Sequence, residues 1–110
     1  MPQTINVLFL AAEAEPFVKV GGLGDVAGTL PRELRALSGE EFKIDVRLVL
    51  PLHPVIKTET LKPLAIYSLS RGRSEVQVEA FEGTLGGVPV YFINGEPIKA
   101  SGSVYSSNNK

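Results

Sequence analysis

Near the start of the chain, Ile5-Asn6-Val7-Leu8-Phe9-Leu10 is an almost unbroken apolar run, and it constrains the fold more than any other feature. Strand-forming side chains without polar alternation mark a strand covered on both faces, as in a parallel sheet. A parallel partner requires a crossover connection, and the next residues supply one. Residues 13 to 24 read as a loop holding Glu13, Glu15, Pro16, Lys19 and three glycines. Val26, Leu30, Leu34 and Leu37 then recur at helical spacing as one apolar stripe. Pro31 falls inside this pattern and is expected to kink the helix or to start a second helical segment; Ser38-Gly39 closes it. Ile44, Val46, Leu48 and Leu50 give a second strand that ends at Pro51. The first 50 residues therefore read as strand, loop, helix, strand, with a right-handed crossover and a parallel pair expected.

The second half changes character. Leu64 to Leu69 predicts a strand, and Val76, Val78 and Ala80 alternate with Glu75, Gln77 and Glu79, so one face of that segment is expected to be wet. Gly86-Gly87 is a turn signal, and Val88 to Ile93 returns as a further strand, giving an antiparallel hairpin. The fold class is α/β: an open sheet with a β-hairpin in its second half. Residues 1–95 are expected to form part of such a domain, and 96–110, rich in Ser, Asn and Gly, a flexible tail or a truncated loop. One helix cannot cover both faces of the sheet, so a fragment of a larger unit is expected. An uncovered sheet surface also invites association.

At 44% apolar residues the chain has enough for a core. Its 11 basic and 12 acidic side chains leave a formal net charge of -1, so no basic excess draws it to nucleic acid. There is no cysteine and one histidine, His53, which excludes thiolate and multi-histidine metal sites. No apolar run is long enough to span a bilayer, and the start lacks a basic region, an apolar core and a cleavage site, so a cytoplasmic protein without a membrane partner is expected.

The candidate site is Lys19-Val20-Gly21-Gly22-Leu23-Gly24-Asp25. Glycine lets a ligand approach the backbone, the helix start offers unpaired N–H groups, and lysine adds a mobile positive charge. The stretch is not a P-loop, since no Gly-Lys-Ser/Thr enters the helix. Nor is it a dinucleotide fingerprint: Gly22 and Gly24 fit, but Gly28 falls one residue late and the loop begins well beyond the strand. On the residues alone, phosphate or sugar-phosphate binding and a tight turn both remain open. Asp25 reads as an N-cap or first-turn acid. Glu13 and Glu15 are expected to be solvated. His53 reads as structural or exposed, or else as a ligand contact at the carboxyl edge of the sheet. No nucleophile–base pair can be assembled.

Taken together, the stretch from Val7 through Glu13-Ala14-Glu15-Pro16-Phe17-Val18-Lys19-Val20-Gly21-Gly22-Leu23-Gly24-Asp25-Val26, with Leu30-Pro31 and Asp45-Val46-Arg47-Leu48-Val49-Leu50-Pro51, resembles the start of bacterial glycogen synthases and plant starch synthases. Val88-Pro89-Val90-Tyr91-Phe92-Ile93 looks like the family's strand after the hairpin, and Gly102-x-Val104-Tyr105 continues the match weakly. The resemblance implies the N-terminal portion of a GT-B fold, two Rossmann-like domains with the active site between them. It also implies glucose transfer from ADP-glucose to an α-1,4-glucan without a metal or other cofactor. By the same resemblance, Lys19 contacts the donor's phosphates, Gly21 and Gly22 line the cleft, and Asp25 lies at its edge. Gly24 replaces an alanine common in bacterial members, and His53 stands near a common tyrosine. The family's later catalytic histidine and glutamate have no counterparts, so the isolated chain is expected to be inactive. The alternative is a free-standing, non-catalytic domain that binds a phosphate or sugar nucleotide.

Overall fold

A computed structural model of the chain describes residues 3–95; the tail expected over 96–110, and the weak match at Gly102, Val104 and Tyr105, lie outside the described residues. Strand β1 (Gln3–Leu10) leads through a loop to helix α1 (Gly22–Ala36) and strand β2 (Phe42–Pro51). A short turn of 3-10 helix, Thr58–Thr60, precedes β3 (Lys62–Arg71), β4 (Ser74–Leu85) and β5 (Val88–Asn94). All five strands join one open sheet in the order β1-β2-β5-β4-β3.

The parallel pair expected from the first 50 residues is present, running from Gln3 opposite Phe42 to Leu10 opposite Val49. The hairpin is present as well: β4 and β5 are antiparallel, joined through Gly86 and Gly87 at φ +56 and +86. Positive φ at both turn residues matches the right-handed twist of the flanking strands, and glycine adopts it without steric cost. β5 also pairs in parallel with β2, Leu48 opposite Val90 and Leu50 opposite Phe92, and so sits between β2 and its own hairpin partner. β3 closes the far edge antiparallel to β4.

The core lies on one face of the sheet. Val46, Leu48 and Leu50 of β2 alternate inward, and Val88, Val90 and Phe92 of β5 do the same, all at most 1% exposed. Helix α1 covers this face, but not with the predicted stripe. Its buried residues are Gly24, Ala27, Gly28 and Pro31, while Val26 (49%), Leu30 (39%) and Leu37 (70%) remain exposed. Small residues let the helix backbone press close to the loop and sheet, and of the predicted stripe only Leu34 is half-buried. Pro31 does not start a second segment: one helix runs from Gly22 to Ala36, its C-cap at Leu37. Proline removes the donor that the Ala27 carbonyl would normally receive, and one residue later Arg32 Nε donates to the Gly28 carbonyl at 3.1 Å. On the opposite face of the sheet, Leu8 and Leu10 of β1 are 62% and 69% exposed.

Candidate functional site

The loop between β1 and α1 is folded back on itself and locked into the core. Ala14 and Val18 exchange backbone hydrogen bonds of 2.9 and 3.0 Å, and both are buried. Between them Phe17 turns its ring edge-on to Phe92, with centroids 4.9 Å apart and an interplanar angle of 77°. Such a pair adds roughly 0.5–1.5 kcal/mol beyond its burial. The Glu15 N–H donates to the Gly24 carbonyl at 3.0 Å, which ties the loop to the first turn of the helix. Gly28 lies against the same place: a Cβ there would run into the Glu15 carbonyl oxygen, and would stand 3.1 Å from its nitrogen. Loop and helix therefore touch backbone to backbone, and the loop's position is set by two glycines.

Gly21 is the N-cap of α1, in extended conformation and without a side-chain cap. Asp25 is therefore a first-turn acid; the N-cap role lies four residues earlier. Its Oδ1 pairs with Lys19 Nζ at 3.2 Å, both side chains about half exposed. The hydrogen bond and charge of Asp25 hold the Lys19 ammonium above the usual lysine value of 10.5, with smaller help from Glu15 and Glu13. Lys19, Gly21, Gly22 and Asp25 are thus gathered around one helix start. The N–H groups of Gly22 and Leu23, in the first turn, have no acceptor within the helix.

Glu13 departs from expectation. It is 1% exposed rather than solvated. Its carboxylate accepts the N–H of Val20 through a very short contact and the N–H of Gly21 at 3.2 and 3.1 Å through its two oxygens. Glu15, two residues on, is exposed as expected. A carboxylate buried by backbone donors seven and eight residues later leaves little trace in a single sequence. The signal that existed was its place before a glycine turn rich in free N–H groups.

His53 is also buried, at 5% exposure. Its Nε2 donates to the Ala12 carbonyl at 3.1 Å, while the neighbouring Leu52 N–H donates to the Ile93 carbonyl at 2.7 Å. These bonds pin together the carboxyl ends of β1, β2 and β5. Beside them, Leu10, Ala11, Ala12, Val49, Leu50, Pro51 and Ile93 line an apolar groove of about 430 Å³. In open α/β sheets this edge is where ligands bind. Among the described residues no cluster of three or more His, Cys, Asp or Glu has the grouping of a metal site, and no helix is long and apolar enough to cross a membrane.

An open α/β sheet whose strands β1, β2 and β5 run parallel, with a crossover helix between the first two, defines a Rossmann-like class of fold. Within that class, the sequence pattern of the starch synthase catalytic domain matches residues 6–110, and the chain belongs to that family. It is 38% identical over 104 residues to the glycogen synthase of Clostridium botulinum (strain Eklund 17B / Type B), covering 92% of this chain and 21% of that protein. It is 32% identical over 111 residues to the glycogen synthase of Thermotoga maritima, covering 93% and 22% respectively. Among solved structures, the catalytic domain of starch synthase IV from Arabidopsis thaliana, bound to ADP and acarbose, matches with a TM-score of 0.75 at 25% identity, over 94% of this chain and 22% of that one. The chain thus spans about a fifth of the length of the curated relatives it matches.

Proposed function

We propose that residues 1–95 are the opening part of the first Rossmann-like domain of a GT-B glucosyltransferase that moves glucose from ADP-glucose to an α-glucan. In this reading Lys19 meets the donor's diphosphate, Gly21 and Gly22 let it approach the helix start, and Asp25 borders the same site. The observation that carries the reading is the gathering of these four residues at one helix N-terminus, in a fold whose solved neighbour holds ADP. The loop offers a cation and unpaired first-turn N–H groups, which suit an anionic leaving group. It offers no nucleophile or acid–base pair, so chemistry would need residues outside this segment. A cytoplasmic location belongs to the same reading, since the donor is a charged, water-soluble nucleotide sugar.

The test has two parts. The reading frame is followed past the codon for Lys110, where a continued frame encoding a second Rossmann-like domain is expected. A stop there overturns the glucosyltransferase and favours a non-catalytic binding domain. In the continued enzyme, Lys19→Ala is expected to weaken ADP-glucose binding by about 1.5–3 kcal/mol, the range of a charge-assisted contact. Unchanged affinity refutes the role of Lys19.

A further inference from the structure

We propose that Glu13 is the positioning residue of the glycine loop: as a built-in anion it takes the backbone donors of Val20 and Gly21, leaving Lys19 and the N–H groups of Gly22 and Leu23 for a ligand diphosphate. The second half of this statement rests on the donor-phosphate reading above; the first stands on the geometry alone.

Burying a carboxylate is costly unless hydrogen bonds replace its water. Glu13, at 1% exposure, meets that cost with two successive backbone donors. Consecutive N–H groups converging on one point form an anion nest, and here the protein's own side chain fills it. The two donors directly follow Lys19 and directly precede Gly22, the first helical residue. A ligand phosphate at the helix start therefore meets a nest already taken on one side and open on the other.

The carboxylate is itself fixed. The residue before it, Ala12, accepts the bond from buried His53, and the residue after it, Ala14, is bridged to Val18. Its position is passed to Lys19 across Gly24. A Cβ on Gly24 would stand 2.8 Å from Lys19 Cγ and 3.2 Å from Glu13 Oε2. The lysine stem and the carboxylate thus pack on the same bare stretch of backbone, and displacing one displaces the other. Lys19 then reaches Asp25 from a stem held in place rather than from a free surface.

The test uses the isotope-labelled continued enzyme, as wild type and as Glu13→Gln, with ADP as the probe. In the wild type, the amide protons of Val20 and Gly21 are expected to lie downfield and to shift as one group when acid protonates Glu13. ADP is expected to move the resonances of Lys19, Gly22 and Leu23 and to leave Val20 and Gly21 in place. Glu13→Gln keeps the side chain's shape but removes its charge. It is expected to shift the Val20 and Gly21 amides upfield and to weaken ADP binding by about tenfold, with an unchanged circular dichroism spectrum. Val20 and Gly21 amides that ignore both acid and the substitution overturn the proposal. So does ADP moving those two amides as strongly as Gly22 and Leu23. If Glu13→Gln does not fold, the wild-type acid titration and the wild-type ADP titration decide the matter. ADP moving no loop resonance overturns the donor reading and the second half of the proposal, while the acid titration still decides the first half.

Discussion

Asp25, through its hydrogen bond and its charge, holds the Lys19 ammonium above the usual lysine value. A raised folded-state value means that the pair's contribution to stability is fully present below the usual lysine value of 10.5 and is lost only as pH rises through the still higher folded value. Asp25→Asn is expected to return the Lys19 titration toward the usual value, read from its side-chain carbon resonances across the alkaline range; a titration that does not move refutes the pairing. Much of this loop was legible, because lysine beside closely spaced glycines at a strand-to-helix junction is a local signal. Glu13 was not. Its burial depends on two amides that only a folded loop turns toward it, and an acid two residues from another acid looks the same whether wet or dry.

At the scale of elements, the strands were readable in kind and place. β2 reaches two residues further back than Ile44, and β4 extends well beyond Ala80 to Leu85. The helix was readable in place but not in orientation. Periodicity marks the largest apolar stripe, and α1 buries its smallest residues instead. The reason is the loop that must pass between helix and sheet, which leaves room for Gly24, Ala27 and Gly28 but not for leucine. Gly28→Ala is expected to destabilise the chain by about 1–3 kcal/mol, as overpacking does, measured by urea denaturation. Alanine is the better helix former, so a stabilised variant would refute the close backbone contact. Phe92 is buried, meets the Phe17 ring edge-on and pairs with both Leu50 and Phe81 across the sheet. Phe92→Ala is expected to cost about 3–5 kcal/mol and to loosen the glycine loop as well, visible as faster amide exchange at Ala14 and Val18.

At the scale of the whole molecule, the sheet order was the least legible feature. Nothing local tells that β5 will leave its hairpin partner on one side and run parallel to β2 on the other, since that choice is made by burial across some forty residues of chain. The expected imbalance, one helix against a two-faced sheet, is plain in the shape. The radius of gyration is 15.6 Å, against about 13 Å for a compact domain of ~100 residues. Exposed apolar side chains stand at Leu8 and Leu10 of β1, at Val26, Leu30 and Leu37 along the helix, and at Leu64, Ile66, Tyr67 and Leu69 of the edge strand β3. Replacing Leu8 and Leu10 together by threonine is expected to reduce self-association in sedimentation experiments with little loss of stability. Equal association by both proteins would show that the sheet face is not the adhesive one.

That bare leucine surface also gives the chain a thermal signature. Near room temperature the pull between such surfaces comes from released water rather than from heat, and it fades on cooling. A solution of this chain is therefore expected to be clearest when chilled, to cloud on gentle warming well before the fold melts, and to clear again on return to the cold.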